Sequence, residues 1–168
     1  MRFFLAGIMQ GSHLGAVLHS QNYRERLKEL LAEHFPGAQV YDPLADHGQS
    51  LDYTDATARD VFYFHNRMCR EVDVVIAFVP EASMGTAIEM WEAHEHGRAV
   101  VLAISPLGSY SAILKRIPLF GQLLSGDRQG FDTAVFESLD LFEAAVRDGR
   151  IAEIVESRIR SFPTSQGT

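Results

Sequence analysis

The sequence predicts an α/β protein, a three-layer Rossmann/flavodoxin-like arrangement of five mostly parallel strands, and three observations predict it. Short apolar runs rich in β-branched residues alternate with amphipathic stretches, the pattern that builds a parallel sheet covered by helices. The run from Val74 to Val79 is apolar at every position, as a strand buried on both faces requires. The connections are mostly short and carry Gly, Pro, Asp and Ser, the residues that turn a chain. A chain of 168 residues, 46% hydrophobic and 22% charged, has the length of one domain that can bury a single core without disulfides or a structural metal.

Taken in order, residues 2–6 read as the first strand. Residues 23–35 form an amphipathic helix with Leu27, Leu30, Leu31 and Phe35 on one face, ended by Pro36-Gly37. Residues 38–41 are a short second strand. Residues 42–55 read as a polar loop rich in turn formers, of a length that often carries function. A helix over 55–70 leads into a strand over 73–79, which Pro80 stops. The next helix, over 84–97, takes Ser83 as its N-cap and Gly97 as its C-cap, and residues 99–104 form the fourth strand. Beyond Ser105-Pro106 the pattern weakens to a short helix near 110–116 and a glycine-containing loop to residue 130. An edge strand over 133–136 and one or two helices over 138–159 complete the domain. Residues 1–160 are thus one domain and 161–168 a frayed tail.

Composition excludes several functions. A net charge of −7 without a run of arginines argues against binding a nucleic-acid polymer, although a nucleotide monomer needs only a local pocket. Cys69 is the only cysteine, so there is no intramolecular disulfide and no CxxC or zinc framework, and a cytoplasmic, reducing setting is expected. On its helix it reads as a small buried hydrophobe. The apolar stretch after Met1 is broken by Gly7, Gln10 and Gly11, which makes it a poor signal peptide and no membrane span. The first loop, Gly7-Ile8-Met9-Gln10-Gly11-Ser12, lacks the spacing of a dinucleotide fingerprint and the Gly-Lys-Ser/Thr ending of a P-loop. No cofactor is implied. Its glycines permit either a tight strand-to-helix turn or close approach of a ligand.

The chemistry-bearing segment is Ser83-x-Gly85-x-x-x-Glu89, which follows the most apolar strand. That spacing sets Glu89 about two helical turns in, near the carboxyl end of the strand, where open α/β sheets bind ligands. Ser83, Gly85 and the free amides of the helix start can hold an anionic or hydroxylated ligand beside it. The plainer reading is a solvated helix glutamate. Elsewhere, His94 and His96 are two apart on a helix and cannot chelate together. Asp42, Asp46 and His47 share the long loop, where they could hold a divalent cation, form Asx-turns or contact a ligand. Asp73 reads as a structural or capping group, and Met90 and Trp91 as core or subunit-interface residues.

The Ser83-to-Glu89 block, together with Phe3-Phe4-Leu5-Ala6-Gly7, resembles the nucleoside 2-deoxyribosyltransferase family and its 2′-deoxynucleoside 5′-phosphate N-hydrolase branch, over about residues 1–117. The resemblance implies that Glu89 is the nucleophile that attacks the anomeric carbon. Ser111, in Ser109-Tyr110-Ser111-Ala112, is similar to a serine that completes the neighbouring subunit's phosphate site, which implies a homodimer or larger homo-oligomer. The chain departs from the family at His65, where an aspartate is usual, and at Gln10, where the phosphate-preferring branch has arginine. Histidine can donate a proton near neutral pH, and Asn66 or Asp60 could supply what the aspartate supplies. Ser12 and His13 could partly replace the arginine. The expectation is a small-molecule nucleoside or nucleotide as substrate, with Glu89 and His65 catalytic. Phe4, Gly7, Gln10, Gly11, Ser12, His13, Asn66, Ser83, Gly85 and Ser111 would bind it. Phe4 and Tyr63 are candidates for the base, although Tyr63 could equally be core. The reaction is N-glycosidic cleavage, with base exchange or catalytically silent nucleotide binding as alternatives.

Overall fold

The computed structural model describes residues 1–8, 22–49, 52–81, 83–96, 99–105 and 133–161. Within them run β1 (Arg2–Gly7), α1 (Asn22–His34), β2 (Gln39–Tyr41), α2 (Pro43–His47), α3 (Asp55–Glu71) and β3 (Val74–Phe78), followed by α4 (Met84–Glu95), β4 (Val100–Ile104), β5 (Thr133–Phe136), α5 (Leu139–Arg147) and α6 (Arg150–Ser161). The strands form one sheet in the order β2-β1-β3-β4-β5, and every pairing is parallel. The chain therefore winds outward from β1 to β2, returns past β1 to β3, and continues the other way. The reversal falls between β1 and β3.

Strand alternation sorts the core into two layers. Phe3, Leu5, Val74 and Ile76 face α1, α5 and α6, packing on Leu27, Leu31, Phe142 and Ile151. Phe4, Ala6, Val75 and Ala77 face α3 and α4, packing on Cys69, Met90 and Ala93. The three-layer fold expected from the alternation of apolar runs is the fold observed.

Side-chain caps set several helix starts. Thr54, Ser83 and Ser138 accept from the amides of Thr57, Thr86 and Leu141, the first turns of α3, α4 and α5. Gly37, at φ 79°, turns the chain after α1 into β2, a conformation that favours glycine. Asp73 accepts from the Arg2 amide at 2.7 Å, the structural role expected of it. The stretch 42–55 is not a continuous loop. Asp42 accepts from the Leu44 amide at 3.1 Å and Pro43 opens the first turn, so the five residues of α2 form there. Helix α4 ends at Glu95, and the His96 amide bonds back to the Glu92 carbonyl. The Gly97 cap, the helix near 110–116 and the tail after Ser161 lie outside the described residues. Among the described residues no helix is long and apolar enough to cross a membrane.

Candidate functional site at the β1–β3 switch point

Where the winding reverses, the carboxyl ends of β1 and β3 open into a pocket of about 330 Å³. This is the position at which open α/β sheets receive ligands. Gly7 closes it at the strand end. One wall is α3, which contributes Ala58, Val61, Phe62 and His65, spaced i, i+3, i+4 and i+7 on a single helical face. The opposite wall is the start of α4, with Ser83, Gly85, Thr86 and Glu89. His47 from α2 and Tyr53 complete the lining. A separate cavity of about 220 Å³ lies at the other edge of the sheet, beside Arg2 and Glu71. There the Arg2 guanidinium is already bonded to the Glu71 carbonyl.

The two titratable groups that face each other across the pocket are both pushed toward neutrality. Burial raises Glu89 to about 8, and Arg24 acts in the opposite direction. Burial lowers His65 to about 4, with His47 and Arg24 adding to the fall and Asp46 opposing it. His65 is buried among Phe4, Tyr41, Phe64 and His47, its ring centroid 5.0 Å from that of His47 and its Nε2 3.3 Å from the Tyr41 hydroxyl. A cationic acid at neutral pH, the form the sequence suggested, is therefore not what this environment favours. His65 is a neutral imidazole there, with one donor and one acceptor nitrogen.

Ser83 does two things at once. Its Oγ accepts from the Thr86 amide at 3.4 Å and the Thr86 hydroxyl at 3.1 Å, which caps α4 and leaves its own O–H to donate. Gly85 has open space where a side chain would stand. Gly7 is the reverse case. A Cβ there would collide with the Tyr23 hydroxyl and lie 3.2 Å from the Phe78 carbonyl oxygen. Tyr23 stacks on Phe78 with centroids 4.1 Å apart, and burial pushes its hydroxyl up to about 12.

Other expected residues are placed differently. Phe4 is fully buried and stacks on Tyr41, so it supports His65 from beneath and does not line the pocket. Tyr63 is 54% exposed, and its neighbour Phe62 lines the pocket in its place, because successive helical residues point about 100° apart. Asp60 is exposed and paired with Arg59 at 3.3 Å. Asn66 is buried beside His65, and its Oδ1 makes no hydrogen bond among the described residues. Gln10, Gly11, Ser12, His13 and Ser111 lie outside the described residues.

Sequence reasoning gave no site role to Val61, Phe62, Thr86 or Arg24, and named His47 only within a loop that could hold a cation or contact a ligand. His47 Nδ1 lies 2.8 Å from the Tyr53 hydroxyl, a pairing within the loop that had been read as open to ligand contact. Arg24 is 1% exposed and donates to the carbonyls of Leu5 at 2.8 Å and Gly7 at 3.3 Å and to the Asp42 carboxylate at 2.9 Å. Asp42 is thus engaged by Arg24 and by its own helix cap. Among the described residues no three His, Cys, Asp or Glu side chains are grouped to hold a metal ion. Cys69 is buried, and burial raises its thiol pKa, with Glu89 and Glu92 adding to the rise. Comparison with known proteins finds no family model and no curated protein that matches the chain.

Proposed function

We propose that this protein cleaves the N-glycosidic bond of a nucleoside or nucleoside 5′-monophosphate and releases the free base, with Glu89 as nucleophile. The observation that carries the proposal is convergence: Glu89, His65, Ser83, Gly85 and Gly7, all named from the resemblance, line one pocket at the ligand-binding edge of the sheet. In the reaction the Glu89 carboxylate attacks the anomeric carbon as the carbon–nitrogen bond breaks, and the bonding pair leaves with the base. The departing base takes a proton from a neighbouring donor or from water, and the proton later lost by the attacking water replaces it. Water then attacks the glycosyl ester, which frees the sugar and restores Glu89. The neutral His65 orients a sugar hydroxyl or donates one hydrogen bond, and Ser83 with the first amides of α4 receives the polar end of the substrate. Val61, Phe62 and Tyr53 give the base an apolar and aromatic surface.

Because the ionised form of Glu89 attacks, kcat/KM rises with pH toward about 8. By the same resemblance the working unit is a homodimer, and the exposed Tyr63, Phe62, Met84 and Trp91 of α3 and α4 supply an apolar surface for it.

A second reading, a nucleotide-binding protein without turnover, is favoured by burial holding both Glu89 and His65 neutral near pH 7. One assay separates the two. Free base is followed by liquid chromatography from ribo- and deoxyribonucleosides and their 5′-monophosphates, using the wild type, Glu89→Ala and His65→Ala. Release from one substrate class, lost in Glu89→Ala, is expected. No release from any substrate, with nucleotide binding intact, leaves the silent-binding reading.

A further inference from the structure

Arg24 stands out because a buried guanidinium is spent on backbone. It lies at the start of α1, on the far side of the sheet from α3 and α4, and its fork reaches two carbonyls at the end of β1 and one carboxylate at the start of α2. Gly7, whose carbonyl it binds, closes the pocket at the strand end. Asp42, whose carboxylate it binds, caps the helix that carries His47. The two pocket segments that come from different parts of the chain are therefore joined through one side chain, and a planar fork with several fixed donors suits that task in a way a point charge does not.

We infer that Arg24 is the positioning residue of this pocket, holding the Gly7 segment and the His47 segment in register through the β1 carbonyls and the Asp42 carboxylate. The inference rests on the proposal that the pocket is the reactive site, and it adds an electrostatic role for the same side chain. The titratable and charged groups gathered around Glu89 are Tyr23 and Arg24 from α1, His47 from α2, Tyr53 from the connection, and His65 and Cys69 from α3. Of these, Arg24 is the group that acts to favour the Glu89 carboxylate, and it also disfavours the His65 cation. Arg24 thus favours the carboxylate that attacks, while at His65 it adds the smallest push to burial and His47 on one side, with Asp46 of α2 opposing.

The test reads Glu89 and His65 directly, by NMR titration of protein labelled with ¹³C at the glutamate carboxyl and histidine ring carbons, in the wild type, Arg24→Met and Arg24→Lys. Both midpoints are expected to rise in Arg24→Met, by roughly one unit for Glu89, and to stay near wild type in Arg24→Lys. Base release by Arg24→Lys falls about tenfold or more, because an ammonium cannot hold both segments. Unmoved midpoints in Arg24→Met, or wild-type turnover in Arg24→Lys, overturn the inference. Should Arg24→Met not fold, Asp42→Asn keeps the cation and removes its partner, and there the Glu89 midpoint falls; an unmoved midpoint overturns the inference equally. A wild type that releases no base sinks the nucleoside reading, while the titration still judges Arg24.

Discussion

A glutamate near 8 and a histidine near 4 titrate in the reverse of their usual order, and each records the same cause, removal from water, acting on opposite charge types. The consequences for stability run in opposite directions. The folded pKa of Glu89 lies above its unfolded value of 4.5, so its contribution is fully present below 4.5 and is lost as pH rises through 8. The folded pKa of His65 lies below its unfolded value of 6.5, so its contribution is present above 6.5 and is lost as pH falls through 4. Glu89→Gln, which cannot ionise, should gain stability relative to wild type between pH 5 and pH 9. Because Glu89 is partly exposed, the gain is about 1–3 kcal/mol rather than the full value of the shift. Urea unfolding at pH 5, 7 and 9 measures it, and a difference that stays constant across that range refutes the burial account.

At the scale of elements, the caps of α4 and α5 make a matched pair. Ser83 and Ser138 each accept from the amide three residues on, yet only Ser83 lines the pocket. Each serine-to-alanine change should lower stability by about 1 kcal/mol. Ser83→Ala alone should also weaken nucleotide binding, as calorimetry with a nucleoside monophosphate would show, and equal binding by both variants would remove Ser83 from the site. The α4 start was legible in the sequence because strand, proline stop, N-cap and glutamate come in fixed order. The pocket face of α3 was half legible. His65 lies on it, but the aromatic was assigned one residue too far, since the pocket takes positions 58, 61, 62 and 65 and leaves 63 outside. Helix α2 was not legible, because five residues are too few to show a period. Arg24 did leave a signal, an arginine at helical spacing from Leu27 and Leu31 on the buried stripe. Charge at such a position implies a partner, and Asp42 is distant in sequence.

For the molecule as a whole, the sheet order puts the pocket where the winding reverses, between α3 and α4, and both helices also carry exposed aromatics. If these aromatics form the homodimer surface proposed above, Trp91→Glu should shift the protein from dimer to monomer in light scattering, with its circular dichroism unchanged. Wild type that is monomeric at every concentration refutes the dimer. The parallel fold was legible because β3 and β4 are apolar at every position, a pattern that antiparallel sheets open to water on one face do not show. The sheet order has a further effect. The inner strand β1 is synthesised before its neighbour β3, and the amide of Arg2 meets the carboxylate of Asp73 across 71 residues. A nascent chain can pair β1 with β2 early, but the other edge of β1 stays open until β3 has left the ribosome, and folding waits on closing that long loop rather than on forming the helices. The interval between these two strands is when the protein is most exposed to aggregation and most in need of a chaperone.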